Sequence, residues 1–269
     1  MNIVALIRKD PIMVMIAAIP LAILAEAAGW DPLWVFSLTA LGIIPLAHLI
    51  GESTEALAHY TGPRLGGLLN ATLGNAAELI ITIIAIRQGL LFGYRTAHEP
   101  AAQPAGAADH AAIRPHWSLR TALILLAIAT VGVAYLSELL VGAVEPIVVS
   151  YGISEFFLGI ILIPLIGNVA EHLVAVQVAV QNKMDLSVEI SLASSLQIAL
   201  FVAPVLVFIS LLMNNPLTLI FNQFELLALI AGVLIAGLVS IDGESNWLEG
   251  AALLAVYLIL GLAFFFMPL

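Results

Sequence analysis

Apolar residues run along this chain in long blocks, separated by short polar breaks. The blocks lie near 11–29, 33–51, 65–86, 121–149, 156–180, 187–213, 217–241 and 247–268. Each approaches or exceeds the roughly 20 mostly apolar residues that a spanning helix needs. The pattern therefore predicts an all-α integral membrane protein with about eight transmembrane helices, since a helix satisfies its own backbone polar groups within lipid. A β-barrel would need alternating segments of about ten residues, and none is visible. The seventh block is the weakest, because Asn222, Gln223 and Glu225 interrupt its first third. The first follows Arg8 and Lys9 and ends near Ala25-Glu26-Ala27, the outline of a cleaved secretory signal. Glu26 and the block that follows fit a retained helix better.

Composition agrees with the pattern. Hydrophobic residues make up 62% of the chain, charged residues only 10%, and the mean hydropathy is +1.12. Too few polar residues remain to cover a water-facing surface, which excludes a soluble domain and a disordered chain. Eight Lys and Arg stand against eighteen Asp and Glu, for a net charge of −10. A chain this acidic has no nucleic-acid partner to expect. It contains no cysteine, so disulfides and thiolate chemistry are excluded. With the N-terminus inside, Arg8, Lys9 and Arg64 fall on one side of the membrane. Arg87, Arg95, Arg114, Arg120 and Lys183 then fall on the other, too weak a bias to fix orientation.

Residues 95–117, RTAHEPAAQPAGAADHAAIRPHW, lack apolar period and are rich in Ala, Pro and His. They read as a flexible polar loop. It divides an N-terminal membrane unit, 1–94, from a C-terminal one, 118–269. Its three histidines, His98, His110 and His116, fit an incidental solvated loop better than a metal site.

A short motif occurs twice. Leu73-Gly74-Asn75-Ala76-Ala77-Glu78 lies in the third block and Ile166-Gly167-Asn168-Val169-Ala170-Glu171 in the fifth. Each GNxxE puts an acid inside an apolar run, where a charge is costly. Repeated halves with polar groups near the midplane are a mark of secondary transporters. Asn and Glu at i and i+3 share a helical face, and Thr72, Asn75, Glu78 and Thr82 form one polar stripe. The adjacent glycine lets a backbone or an ion approach. Carboxylate and amide oxygens are the hard ligands Ca²⁺ prefers. Two acids converging in a low dielectric need a divalent cation or protons to neutralise them, and that competition is the core of antiport. A single buried Glu would often be just a protonated, hydrogen-bonded structural group, but the matched pair argues against that reading. In the sixth block Ser191, Ser194 and Gln197 share a face. Gln197 needs a partner, and a place at or beside the site is favoured over simple packing. His172 follows Glu171 and could relay protons, although it points about 100° away around the helix. Glu52 and Glu55 fall at the end of the second block, where solvation is the default. Glu138 lies inside the fourth and is a further functional candidate, and His48 reads as a packing residue rather than a ligand.

These residues resemble the cation/proton exchangers of the CAX type, in the calcium/cation antiporter superfamily. The resemblance covers residues 8–93 and 118–269. It rests on Gly62 to Thr72 leading into Gly74-Asn75-Ala76-Ala77-Glu78-Leu79, and on Gly167 to His172 continuing through Asn182-Lys183-Met184-Asp185. Ser194-Ser195-Leu196-Gln197-Ile198-Ala199, Phe201-Val202-Ala203-Pro204 and Asp242 to Gly250 complete it. The resemblance implies a sodium/calcium exchanger-like fold in which Glu78 and Glu171 bind Ca²⁺ and exchange it for H⁺. Asn75 and Asn168 would be neighbouring ligands, with Ser194 and Gln197 close by and no cofactor beyond the transported ions. Ala193 stands where the family pattern usually has Gly.

The first repeat is incomplete: about three spans of the family's eleven are missing after Gln88-Gly89-Leu90-Leu91. With one span left between the GNxxE helices, they are expected to run parallel rather than antiparallel. A segment that does not span, an inverted C-terminal unit, or a homo-oligomer of oppositely inserted chains would each restore the inverted pair. The expected function is secondary exchange of Ca²⁺ or a similar cation for protons, in a bacterial inner membrane or its equivalent. The alternative is a degenerate relative that has lost transport and keeps a binding or assembly role. An enzyme is remote, since HExxH, GxSxG and P-loop motifs are absent.

Overall fold

The computed structural model describes residues 11–62, 66, 69, 72–90, 117–240 and 246–267, and these form helices joined by turns. A 3₁₀ segment, Pro11–Ala17, leads into α1 (Ala18–Ala27). Then come α2 (Pro32–Thr61), α3 (Ala76–Arg87), α4 (Leu119–Gly142) and α5 (Val144–Tyr151). A π-helical segment, Phe157–Leu162, precedes α6 (Ile163–Gly167) and α7 (Val169–Val180). Another, Ile198–Val202, joins α8 (Met184–Gln197) to α9 (Ala203–Leu212). Helices α10 (Gln223–Ser240) and α11 (Trp247–Phe265) close the chain.

Among the described residues, four stretches are long and apolar enough to cross a membrane: α2, α4 with α5, α8 through α9, and α11. A fifth is the pair Phe157–Gly167 and Glu171–Val180, bent by 57°. Ile12–Ala27 and Gln223–Val239 are shorter apolar helices. The chain is an integral, multi-pass membrane protein. Most of the 95–117 loop, with its histidines, lies outside the described residues, as do Arg8 and Lys9.

Local chemistry explains where the helices start. Asp31 accepts the Leu33 N–H at 2.9 Å, and Pro32 at N1 has no N–H to satisfy. Ser118 accepts from Thr121 N at 3.2 Å. Asn222, Gln223 and Glu225, read as interruptions of the seventh block, instead begin α10. The Glu225 N–H donates to Asn222 Oδ1 at 2.8 Å and the Asn222 N–H to Glu225 Oε2 at 2.7 Å. That is a reciprocal capping box, repeated by Asn246 and Glu249 before α11. Helix α2 also runs past the expected end at 51, so Glu52 and Glu55 lie within a continuous helix, and both are exposed as expected. Both π segments sit just before a proline, Pro164 or Pro204, whose missing N–H interrupts the i→i−4 ladder.

The core is the antiparallel pair α2 and α4. Tyr60 donates to Trp117 O at 3.0 Å near one end, and Tyr151 donates to Asp31 Oδ2 at 2.5 Å near the other. Between them glycines allow close approach. A Cβ on Gly132 would meet Leu46 at 2.8 Å, and one on Gly42 would meet Leu136 at 3.0 Å. The chain turns back from α2 at Gly62, whose φ of 82° suits glycine. Gly66 then lies against α2, where a Cβ would stand 2.8 Å from the Ala58 carbonyl oxygen. Helix α3 therefore runs antiparallel to α2 and in the same direction as α4. Arg87 at the end of α3 pairs with Glu138 near the end of α4.

Two outcomes follow. Gly66→Ala forces a methyl against backbone and is expected to destabilise by about 1–3 kcal/mol. Gly51→Ala, in open space inside α2, is expected to stabilise by about 0.5–1 kcal/mol; thermal melting in detergent measures both. The hydrogen bonds from Tyr151 and the Leu33 N–H hold the Asp31 carboxyl below its ordinary range. Its stabilising effect is present above about pH 4 and fades as pH falls through the lowered value. The melting-temperature gap between wild type and Asp31→Asn is expected to shrink on acidification below pH 4.

Candidate functional site

The two GNxxE segments adopt the same local backbone. Asn75 has φ −93° and ψ 20°, Asn168 has φ −92° and ψ 10°, and each stands immediately before a fresh helix. Their glutamates, Glu78 and Glu171, thus occupy the third position of α3 and α7. A helix N-terminus carries partial positive charge and unsatisfied N–H groups. Breaking a spanning helix at Gly-Asn places such an end, and an acid with it, inside the apolar layer.

The two breaks face each other. A Cβ on Gly167 would stand 3.5 Å from Glu78 Cγ and 3.6 Å from its Oε1, so the second motif's glycine abuts the first motif's carboxyl. Glu78 and Glu171 are close enough to act on one another electrostatically. Glu78 is 5% exposed and Asn75 is 4% exposed. Among the described residues, Glu78 Oε2 and Glu171 Oε2 are buried without a hydrogen-bond partner. Buried polar atoms are rarely left so. Two bare carboxyl oxygens side by side in low dielectric repel when ionised and are relieved by protons or a cation.

Helix α8 seals the arrangement. Asn75 Nδ2 donates to Gln197 Oε1 at 2.7 Å, and Ser194 Oγ donates to Asn168 Oδ1 at 3.2 Å. Asn168 Nδ2 donates to Pro164 O at 3.0 Å, fixing the flip of that amide. The structure thus brings Asn75, Glu78, Asn168, Glu171, Ser194 and Gln197 into one cluster. His172 does not join it; that residue is exposed. Glu138 is drawn instead into the half-exposed pair with Arg87. Among the described residues, no three His, Asp or Glu gather as a metal-binding group. The cluster gathers two carboxyl groups with neutral amides and a hydroxyl, all oxygen-bearing groups of the kind hard cations prefer.

His48 has a larger place than a packing residue. It acts electrostatically on Glu171 and lies with Nε2 3.7 Å from Glu52 Oε1. His48 and Glu52 are at i and i+4 on α2, a spacing visible in the sequence. That His48 comes within electrostatic reach of Glu171 is decided by how α2 packs on α7.

The motif helices are antiparallel, not parallel as the span count implied. Asn75–Gln197 and the bond from Asn215 Nδ2 to Ile86 O, 2.6 Å, put α3 alongside α8 and α9 in one direction. Helix α7 reaches α8 through the turn at Asn182, φ 60°, and so runs the other way. Packing the two breaks against each other overrides the count of crossings.

Residues 32–97 and 121–266 match the family described as sodium/calcium exchanger protein. A Ca²⁺/H⁺ antiporter of Aphanothece halophytica is 36% identical over 353 aligned residues, 93% of this chain and 95% of that protein. The Ca²⁺/H⁺ antiporter ChaA of Bacillus subtilis is 32% identical, covering 93% of this chain and 97% of the relative. The solved structure of native YfkE superposes with a TM-score of 0.78 at 33% identity, over 95% of this chain and 100% of that one. The 353 aligned positions exceed the 269 residues present here, so a substantial part of the relative has no counterpart in this chain. The first family match is less than half as long as the second.

Glu78→Gln keeps the side-chain shape and removes one charge from the pair. With cations chelated, it is expected to raise the melting temperature by about 2–4 °C per kcal/mol of repulsion relieved. A fall in melting temperature would mean that the carboxylate is held by favourable partners.

Proposed function

We propose that this chain, which belongs to the sodium/calcium exchanger protein family, exchanges Ca²⁺ for protons across a membrane. The observation that carries this reading is the pair Glu78 and Glu171, within electrostatic reach of each other and each with a buried, unpartnered oxygen. A divalent cation between the carboxylates replaces their repulsion with attraction to both. Asn75, Asn168, Ser194 and Gln197 add neutral oxygens and hold the two half-helices in register. Protonation of the same oxygens removes the charge that holds the cation, so the two ions compete for one pocket. Two carboxylates accept at most two protons for each divalent ion they release. The glutamates are thus ligand and proton carrier at once, and no nucleotide motif is needed because the proton gradient supplies the energy.

The names of the relatives, Ca²⁺/H⁺ antiporters, support this choice of ions. His48, 3.7 Å from the half-exposed Glu52, marks a polar path from Glu171 toward the surface. His172, exposed beside Glu171, has a place only on a proton's approach. A bacterial inner membrane is the setting that fits the bacterial relatives. A chain that had lost transport would have no use for two acids brought to one pocket.

Proteoliposomes with an imposed pH gradient test the reading. Wild type is expected to take up ⁴⁵Ca²⁺, and a protonophore is expected to abolish the uptake. Glu78→Gln and Glu171→Gln are each expected to lower uptake by about 100-fold or more, as loss of a buried charged ligand costs several kcal/mol. Uptake that persists in either variant would reject the assignment.

A further inference from the structure

The helix directions pose a problem that the linker sequence sharpens. Helix α3 ends at Arg87, level with Glu138 near the far end of α4. Helix α4 begins beside Trp117, which lies against Tyr60 at the opposite end of α2. From Trp117 to Glu138 the helical rise covers roughly 30 Å, about the thickness of the apolar layer. Within one chain, the path from Arg87 to Trp117 would have to return across that whole depth. The residues available include Arg95, Glu99, Asp109 and Arg114, with Pro100, Pro104 and Pro115. Such a sequence cannot build a self-satisfied spanning helix, and charges in it are expelled from lipid.

If the linker stays on one side, the C-terminal unit enters the membrane upside down relative to its place in the fold. One copy's two units then cannot face each other as the structure has them. A second copy inserted in the opposite orientation presents its C-terminal unit the right way up. We infer that the functional protein is an antiparallel pair of copies, in which Asn75 and Glu78 of one copy form a pocket with Asn168, Glu171, Ser194 and Gln197 of the other. The contacts are those described above, made between copies rather than within one. Two-fold symmetry gives two such pockets per pair.

Three further observations fit. The alignment with the relatives is longer than this chain, and the first family match, 32–97, is shorter than the second, 121–266, as loss of part of the first unit would leave them. An odd number of missing spans, about three in the sequence, inverts everything after the linker. The split of three cationic residues against five gives insertion little directional preference, which an oppositely inserted pair requires.

The chain's lack of cysteine makes the test direct. Arg87→Cys and Glu138→Cys are placed on separately tagged, co-expressed copies, and native membranes are treated with a short bis-maleimide. Both positions are half exposed and lie outside the cation pocket. A covalent species of twice the chain mass that carries both tags is expected. Its absence, with the doubly substituted chain linking only within itself, overturns the inference. A single cysteine in the linker, Ala108→Cys, is expected to react with an impermeant maleimide from both sides of the membrane in similar fractions. Labelling from one side alone overturns it as well.

The shared pocket rests on the exchange reading; the pairing does not. Where wild type takes up Ca²⁺, copies bearing Glu78→Gln and Glu171→Gln are each inactive alone. Co-expressed, they are expected to regain about a quarter of the uptake, since half of randomly formed pairs keep one intact pocket. Background uptake from the mixture overturns the shared pocket. Cross-linked pairs without wild-type uptake would reject exchange and leave the pairing standing.

Discussion

Repulsion between two carboxyl groups that share one dry pocket governs this molecule. Glu78 and Glu171 stand where two half-helices begin, each with an oxygen that no protein group satisfies. A fold stabilised only by burial would not keep such a pair, because apolar or amide side chains of the same size cost less there. In the proposed exchange that energetic defect is the working part, since a divalent cation or protons can each relieve it but both cannot occupy the pocket at once.

The surrounding structure holds that pair together. Asn75 and Asn168 break their helices with nearly the same backbone angles and then bind α8 through Gln197 and Ser194. Gly167 leaves room for the Glu78 carboxyl, which lies at van der Waals distance from where a Cβ would stand. Behind this, the glycine-lined contact of α2 with α4 forms the most deeply buried part of the protein. The second half of the pocket is less enclosed: Asn168 and Glu171 are half buried, whereas Asn75 and Glu78 are buried. The asymmetry agrees with a first repeat that lacks the helix corresponding to α8.

Much of this was legible without coordinates. The apolar blocks gave the membrane class, and the recurrence of GNxxE singled out both acids and both amides. The shared face of the sixth block singled out Ser194 and Gln197, and the structure hydrogen-bonds them to Asn168 and Asn75. Some signals were present but misread. Asn222-x-x-Glu225 looked like polar interruption and is a capping box, because a polar pair spaced by three satisfies the free N–H groups of a helix start. The second block looked finished at 51 because hydropathy marks where apolar character ends and not where the helix does, although Glu52 and Glu55 are exposed as read.

What the sequence determined by itself is the set of local facts: which stretches enter lipid, where helices can start, which side chains lipid cannot tolerate alone. These depend on residues within a few turns of each other. Only the tertiary structure decided that the motif helices run antiparallel, that His48 comes within electrostatic reach of Glu171, and that Glu138 belongs with Arg87. Those pairings join residues tens of positions apart, and helix direction, not residue type, brings them together. A count of crossings assumes that every connection stays on its own side of the bilayer. The packing of two broken helices obeys no such rule, and that conflict is what points to a second copy.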